Sequence, residues 1–139
     1  MRFWDASALI PLCVEQPDSR AVRALLEEDR TMAVWWGSPI ECWSAFARLR
    51  REGLLQPDEE DSARSLLRIL QDAWTEILPG EEVRAHAGRL LRIHPLRSAD
   101  ALQLAAALVW AGTPPGGEIV VFDRRLQEVA YLEGLTPWP

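Results

Sequence analysis

The sequence predicts an α/β fold in which helices cover both faces of a mostly parallel sheet. Short apolar runs alternate along the chain with longer segments whose apolar residues recur at helical spacing. The run at residues 31–36 is mostly apolar, as is typical of a parallel strand that is buried on both faces. Because the chain has 139 residues and no linker or low-complexity tract, we expect residues 1–139 to form one domain.

The first half of the chain has the pattern strand, two helices, strand and helix. Residues 2–4 are a short buried strand, and a helix follows as far as Cys13. Pro17 begins a second helix, because proline is favoured in a first helical turn. After the strand at residues 31–36, Ser38 opens a helix that Gly53 ends.

The second half is predicted to be mainly helical. Asp58 caps a long amphipathic helix whose apolar face extends to Trp74 and Ile77. The other predicted elements are a helix from residue 81, a nearly all-apolar and therefore central helix at 99–111, a strand at 118–122, a helix at 124–133 and a short strand at 135–138. The helical hairpin between Ser38 and Ile93 is an excursion longer than one crossover requires, and we expect partner contacts there.

The composition is that of a globular protein with an acidic balance. Hydrophobic residues make up 48% of the chain and charged residues 26%, and the net charge is −6. An acidic chain is a poor general partner for a polyanion. All fifteen basic residues are arginine, however, and the planar arginine side chain suits phosphate. A GC-rich genome, which disfavours the A-rich codons of lysine, explains the same bias.

The chain shows no sign of membrane insertion or secretion. No apolar run approaches the roughly 20 residues of a membrane span, and Asp5 interrupts the layout of a signal peptide. We therefore expect a cytoplasmic protein without membrane contact. Cys13 and Cys42 lie on separate predicted helices without C-x-x-C spacing, so we expect buried thiols rather than a disulfide or zinc ligands.

Four acids stand where a predicted strand gives way to a helix. Asp5 follows the first strand and Asp123 follows the strand at 118–122, whereas Glu41 and Asp100 fall in the first turns of two apolar helices. In open α/β folds the functional crevice lies beyond the carboxyl ends of the strands. Four carboxylates at that edge predict a site for divalent metal and phosphodiester chemistry.

Each acid also has a structural explanation. Glu41 fits the S-x-x-E pattern of a helix capping box, and Asp123 suits the N-cap position of the last helix. Ser7 or a helix N-terminus can satisfy Asp5 without a metal. Asp100 is harder to explain in this way, because it shares a helix face with apolar residues and an unpaired buried carboxylate is unfavourable.

Four stretches of the chain, taken in order, carry a family resemblance. They are Asp5-Ala6-Ser7-Ala8-Leu9-Ile10, Ser38-Pro39-Ile40-Glu41, the segment LRSADALQLA at residues 96–105, and Phe122-Asp123-Arg124-Arg125-Leu126. Around the four acids the chain resembles the PIN-domain ribonucleases, and in particular the VapC-like toxins of bacterial and archaeal toxin–antitoxin pairs. No single stretch is specific, but the ordered set is, and the likeness spans nearly the whole chain.

The resemblance implies a three-layer α/β/α PIN-like fold and endonucleolytic cleavage of RNA that depends on Mg²⁺ or Mn²⁺. It implies that Asp5, Glu41, Asp100 and Asp123 are the catalytic and metal-binding acids. It also implies inhibition by a small antitoxin protein and, commonly, a homodimer. The alternative function is that of a catalytically inactive PIN-like module that binds RNA or protein, although such modules usually lack one of the acids.

Two positions depart from the family pattern, and three others are candidate substrate-binding residues. Family members often have histidine where this chain has Gln103, which we expect in packing or beside the site, and many have serine or threonine where Val121 stands. Ser7 matches a hydroxyl position near the metal site. Arg97 and Arg124 flank two of the acids, and arginine binds phosphate through paired hydrogen bonds. Arg125 flanks the same acids, but a solvated charge explains it equally well, since a helix start does not favour a cation.

The seven tryptophans are divided between the core and possible interfaces. We expect Trp4, Trp35 and Trp43 in the core. The remaining candidates, as anchors of a dimer or of an antitoxin segment, are Trp36, Trp74, Trp110 and Trp138.

Overall fold

A five-stranded parallel sheet forms the centre of the computed structural model, which describes residues 1–139. Helices cover both faces of the sheet, so the predicted α/β class with three layers is confirmed. In chain order the elements are β1 (Arg2–Trp4), α1 (Ala6–Cys13), α2 (Ser19–Glu28), β2 (Met32–Trp35), α3 (Ser38–Arg51), α4 (Pro57–Ala73), β3 (Thr75–Ile77), α5 (Glu81–Ile93), α6 (Ser98–Ala111), β4 (Glu118–Val120), α7 (Arg124–Leu132) and β5 (Thr136–Trp138).

The strand order is β3-β2-β1-β4-β5, which places the first strand of the chain at the centre of the sheet. Phe3 lies opposite Ala33 of β2 on one side and opposite Ile119 of β4 on the other. Because β1 is hydrogen-bonded along both edges and covered on both faces, Phe3 and Trp4 are fully buried. The residue after Trp4 therefore emerges at the middle of the carboxyl edge of the sheet.

Each face of the sheet has its own apolar core, because successive strand residues point to opposite faces. Helices α5, α6 and α7 pack on the face that carries Phe3, where Leu90 and Leu104 are fully buried. Helices α1 to α4 pack on the face that carries Trp4 and bury Phe46. The two apolar faces require helices on both sides, and this produces the three layers.

The prediction that one helix continues to Ile77 is wrong. Helix α4 ends at Ala73, and Trp74 has an extended backbone with φ −83° and ψ 162°. Residues 75–77 then pair in parallel with residues 33–35 of β2 and form the edge strand β3. The predicted helical excursion is therefore divided by a strand, and its hairpin consists of α3 and α4 alone. Pairing with β2 gives the backbone groups of residues 75–77 their hydrogen-bond partners, and this tertiary pairing could not be read from the local helical spacing.

Two smaller predictions on this side of the fold are also wrong. Gln56, and not Asp58, is the N-cap of α4, and its N–H donates to Glu59 Oε1 at 2.9 Å. Pro57 occupies the first helical position, so the cap lies two residues earlier than predicted. Trp43 is 37% exposed rather than part of the core, and the guanidinium of Arg64 lies over its ring at 5.3 Å from the centroid.

Trp4 and Trp35 are buried, as predicted. Cys13 and Cys42 are buried and unpaired, and burial raises the pKa of the Cys13 thiol to about 12 and also raises the pKa of the Cys42 thiol. Both therefore remain protonated, apolar side chains.

None of the helices combines the length and the apolar character needed to cross a bilayer.

Candidate active site

The four predicted acids come together at one end of the sheet. Asp5 follows β1 directly, Glu41 lies in the first turn of α3 beyond β2, and Asp123 is the N-cap of α7 beyond β4. Asp100 lies in the first turn of α6, and charge repulsion couples it to each of the other three acids. The strand ends and helix starts thus deliver four carboxylates from distant parts of the chain to one site.

Asp5 is a buried carboxylate that is held by Ser7. Its side chain is 5% exposed, and Oδ2 accepts hydrogen bonds from Ser7 N at 2.9 Å and from Ser7 Oγ at 2.5 Å. Ser7 Oγ in turn accepts a bond from Phe122 N at 3.0 Å. Burial raises the pKa of Asp5 to about 6, the bonds from Ser7 oppose the rise, and repulsion from Asp100 and Asp123 adds to it.

Glu41 does not form the capping box that its sequence pattern suggested. Gly37 is the N-cap of α3, and no side chain caps this helix. Ser38 Oγ and Glu41 Oε2 both accept hydrogen bonds from the amide of Gln103, at 2.9 and 2.6 Å. Burial raises the pKa of Glu41 to about 7, and the hydrogen bond from Gln103 opposes the rise. Repulsion from Asp5 and Asp100 raises the pKa further.

Asp100 and Asp123 line an open cavity of about 620 Å³ together with three arginines. These are Arg97, Arg124 and Arg125, all of which the sequence predicted beside the acids. Asp100 is half-buried, and burial followed by repulsion from Asp123 raises its pKa, whereas Arg97 and Arg125 oppose the rise. The cavity therefore combines two carboxylates with positively charged groups of the kind that bind phosphate.

The structural explanations proposed for two of the acids also hold in the molecule. Asp123 Oδ1 accepts a hydrogen bond from Leu126 N at 2.8 Å, so Asp123 does cap α7. Ser7 and the first turn of α1 do satisfy Asp5. In both residues, as in Glu41, the protein's hydrogen bonds engage one carboxylate oxygen and leave the other without a donor from the protein.

None of the ion pairs in the structure involves any of the four acids. Carboxylate oxygens of this kind are the ligands that Mg²⁺ and Mn²⁺ prefer, so the donor set fits a hard divalent cation. No three acidic, histidine or cysteine side chains converge closely enough to form a ready-made ligand group. Because like charges repel, the four side chains would draw together only around an ion that offsets their charge.

Gln103 is the residue whose part in the site the sequence left undecided. It is fully buried and joins α6 to the start of α3 through its bonds to Ser38 and Glu41. A signal was present in the sequence, since Gln103 is a polar residue in a helix that is apolar on nearly all sides and stands three residues after Asp100. Arg125, for which the sequence left a solvated charge as the alternative, lines the cavity.

The chain matches a known protein family over most of its length. Residues 2–132 match the PIN domain. The chain belongs to the PIN-domain family. This PIN domain is 33% identical over 141 residues to Ribonuclease VapC45 and to Ribonuclease VapC49, from two strains of Mycobacterium tuberculosis, and each alignment covers 99% of this chain and 94% of the relative. The family predicted from the four sequence stretches is therefore confirmed.

Solved structures share the fold of this PIN domain at low sequence identity. VapC20 of Mycobacterium tuberculosis, described as a sarcin–ricin loop cleaving toxin, has a TM-score of 0.70 at 14% identity and is matched over 93% of this chain and 95% of its own. VapBC2 from Rickettsia felis, bound to a DNA fragment from its promoter, has a TM-score of 0.68 at 14% identity, with 99% and 98% of the two chains covered. FitAcB from Neisseria gonorrhoeae has a TM-score of 0.68 at 15% identity, with 100% and 97% covered. At such identities the likeness concerns the fold, and the roles of the individual site residues stay predictions.

Proposed function

We propose that this PIN domain is an endoribonuclease that depends on a divalent metal ion and acts as the toxin of a toxin–antitoxin pair. The observation that carries the proposal is the group of four carboxylates without any arginine ion pair, at the carboxyl edge of the sheet. Relatives that are 33% identical over almost the whole chain and are named ribonucleases support the same reaction.

The four acids are proposed to hold the ion and to be the catalytic residues. Asp5, Glu41, Asp100 and Asp123 would bind Mg²⁺ or Mn²⁺ through the carboxylate oxygens that the protein leaves free. When bound, such an ion lowers the pKa of water and neutralises the negative charge that develops on the phosphate. The chain's own contribution is to keep these oxygens oriented, through Ser7 for Asp5 and through Gln103 for Glu41.

A cation in the working state also explains why the chain tolerates this site. Two unit charges about 5 Å apart repel by roughly 3 kcal/mol at an effective dielectric constant near 20. The raised pKa values of Asp5, about 6, and of Glu41, about 7, reflect burial together with this repulsion. A divalent ion would offset both effects, whereas a purely structural role for four such groups would leave them unopposed.

The arginines of the same cavity are proposed to bind the RNA backbone. Arg97, Arg124 and Arg125 surround Asp100 and Asp123, so phosphate groups on either side of the reacting one would meet a guanidinium. Ser7 is proposed to assist substrate binding through its place beside Asp5. Because the net charge is −6, binding of RNA must rest on this local patch. Cleavage is expected to leave 5′-phosphate and 3′-hydroxyl ends.

We propose a small antitoxin protein as partner, and a homodimer as the assembled state. An apolar groove of about 450 Å³ between α2 and α4 offers a surface for the antitoxin. It is lined by apolar side chains, among them Leu26, Met32 and Leu70. Two arginines, Arg23 and Arg30, and one acid, Glu27, also line it, so its charge is net positive and it fits an apolar segment with acidic neighbours. Met32 is the first residue of β2, and the groove therefore lies at the amino edge of the sheet, opposite the acids.

The proposed reaction is tested by incubating total RNA with purified wild type and with Asp5→Asn. Each protein is assayed with Mg²⁺, with Mn²⁺ and with EDTA, after its fold has been checked by circular dichroism. We expect discrete cleavage products from wild type with a metal ion and none from Asp5→Asn or in EDTA. The variant replaces one carboxylate oxygen by an amide nitrogen, which is not a metal ligand, and keeps the shape of the side chain.

Either failure has a definite meaning. Cleavage that persists in EDTA would contradict metal dependence. Absence of cleavage by folded, antitoxin-free wild type with both ions, on total RNA and on the isolated tRNA and rRNA fractions, would favour the inactive RNA- or protein-binding module.

A further inference from the structure

Gln103 is a fully buried polar side chain at the contact between α6 and α3. The other buried residues of α6 are all alanine or leucine. A buried amide is unfavourable unless it is hydrogen-bonded, so its partners indicate why it is there. A leucine or methionine of similar volume would satisfy packing alone.

The amide directs its donor group, and not its acceptor, toward the acidic site. Gln103 Nε2 donates to Ser38 Oγ at 2.9 Å and to Glu41 Oε2 at 2.6 Å. Gln103 Oε1 is buried and has no partner. A serine hydroxyl can donate as well as accept, so a bond to Ser38 alone would be possible with either orientation of the amide. Only a donor suits the carboxylate of Glu41, and the orientation therefore follows from Glu41.

The same arrangement recurs at two other acids of the site. Ser7 donates to Asp5, and Leu126 N donates to Asp123. In each case a neutral donor engages one carboxylate oxygen and leaves the second free. A neutral donor orients the acid without adding a positive charge that would compete with a cation, which an arginine or lysine would do.

We propose that Gln103 is a positioning residue of the metal site, which holds Glu41 Oε2 so that Glu41 Oε1 is presented to the ion together with Asp5 and Asp100. This inference rests on the proposed function, because it assumes that Glu41 is a metal ligand. Outer hydrogen-bond partners of ligating carboxylates orient them and tune their affinity. Gln103 then acts through Glu41 and touches neither the ion nor the RNA.

The test measures Mn²⁺ affinity directly, by isothermal titration and by the electron paramagnetic resonance of bound Mn²⁺, without RNA. Gln103→Met keeps the length and approximate volume of the side chain and removes the donor. We expect Mn²⁺ to bind about tenfold more weakly, as is typical when an outer partner of a metal ligand is lost. If Gln103→Met fails to fold, Gln103→Asn replaces it, because the shorter amide withdraws the donor from Glu41.

Gln127→Met is the matched control. Gln127 Nε2 donates to Val121 O at 2.7 Å, so the substitution removes an amide hydrogen bond of the same kind that does not involve an acid of the site. We expect a lower melting temperature and unchanged Mn²⁺ affinity. Equal losses of affinity in Gln127→Met and Gln103→Met would mean a general loss of structure and would overturn the inference.

A double-mutant cycle with Glu41→Gln separates positioning from packing. Glu41→Gln alone should weaken Mn²⁺ binding, and adding Gln103→Met to it should cause no further loss, because the group that Gln103 orients is already altered. The same factor of loss in both backgrounds would show that Gln103 acts independently of Glu41, which contradicts the proposal.

The wild type distinguishes failure of this inference from failure of the proposed function. If wild type binds Mn²⁺, Asp5→Asn does not, and Gln103→Met binds as tightly as wild type, only the role of Gln103 is overturned. If wild type itself binds no Mn²⁺, both the metal-dependent function and the role of Gln103 are overturned.

Discussion

At the residue scale, the acids of the site differ from the acids that serve the fold. Glu118 pairs with Arg2 and Glu133 with Arg89, and such ion pairs neutralise carboxylates locally. Asp5 is buried and Glu41 is partly buried, and both accept hydrogen bonds from neutral donors only. The protein therefore does not neutralise their negative charge, which can bind a cation. In the metal-free protein this charge destabilises the folded state.

The metal-free protein should become more stable as the pH falls from 8 to 5.5. Asp5 and Glu41 have pKa values of about 6 and about 7 in the folded state, above their ordinary values of 3.8 and 4.5. The folded state therefore binds more protons than the unfolded state in this window, and the free energy of unfolding rises as the pH falls. We expect an increase of about 2 kcal/mol, measured by urea denaturation in EDTA.

The variant that carries Asp5→Asn and Glu41→Gln is the control for this pH dependence. It should lose most of the increase, because neither amide titrates. At lower pH the increase should level off near the ordinary pKa values of these acids, and Glu133, whose pKa Arg89 lowers, should act in the opposite direction, because its protonation removes a favourable ion pair. Stability of wild type that is constant or that decreases between pH 8 and pH 5.5 would contradict the raised pKa values.

Ser7→Ala should lower both stability and metal affinity. The Ser7 hydroxyl donates to Asp5 and accepts from Phe122 N, so alanine frees the acid and leaves an amide unpaired. Loss of such a buried bond costs about 1–3 kcal/mol. Ser19→Ala is the matched control, because its buried hydroxyl bonds only to backbone groups before α2. We expect lower urea midpoints for both variants and weaker Mn²⁺ binding for Ser7→Ala alone; equal Mn²⁺ affinities of the two variants would count against this role of Ser7.

The convergence of the four acids could be predicted from the sequence, whereas the hydrogen bond from Gln103 to Glu41 could not. Position at a strand end or in a first helical turn identifies an acid without knowledge of the tertiary contacts. The S-x-x-E pattern of Ser38 and Glu41 favoured a local capping box, but both side chains bind Gln103 instead. That choice depends on how α6 packs against α3, which no local pattern encodes.

At the scale of elements, two of the acids are also helix N-caps. Asp5 caps α1 and Asp123 caps α7, so each lies at the positive end of a helix dipole. The two explanations, capping and metal binding, are therefore compatible, because each cap bond engages only one carboxylate oxygen. A helix start is a rigid base for a ligand, so the same residue can serve both purposes.

Substitutions of Asp123 should separate the two roles. Asparagine is as good an N-cap as aspartate, whereas alanine loses about 1 kcal/mol of stability. We expect Asp123→Asn to unfold at nearly the wild-type urea concentration and Asp123→Ala at a lower one, and both variants to lose RNA cleavage. Cleavage by Asp123→Asn at the wild-type rate would show that Asp123 serves the fold only.

Element types were predictable where the local pattern was strong, as in the apolar helix α6 and the strand β4. The strand β3 was missed because Trp74 and Ile77 continue the apolar spacing of α4. Its three residues are too short a run to show a period of their own, and they become a strand by pairing with β2. The decision is thus made by tertiary contacts rather than by local propensity.

At the scale of the whole molecule, the strand order explains how the site is assembled. Because β1 lies between β2 and β4, the segments that follow these three strands deliver Asp5, Glu41 and Asp123 to adjacent positions. The parallel sheet and its two covered faces were predictable from the alternation of strands and helices. The order of the strands was not, since it depends on which face each crossover covers.

If the four acids bind a cation only in the folded protein, metal binding and folding are linked. An ion that binds the folded state alone stabilises it by about 2.7 kcal/mol at a concentration one hundred times its dissociation constant. For a chain of this size that corresponds to a rise in melting temperature of about 5–10 °C. Removal of one acid should lower the repulsion in the metal-free state and weaken the response to the ion.

The most direct measurement is therefore the melting temperature of wild type and Asp100→Asn, each in EDTA and in saturating Mn²⁺. We expect Mn²⁺ to raise the melting temperature of wild type, and Asp100→Asn to melt above wild type in EDTA and to respond little to Mn²⁺. Equal Mn²⁺-induced shifts in the two proteins, or no shift in wild type, would contradict a metal centre built from these four acids.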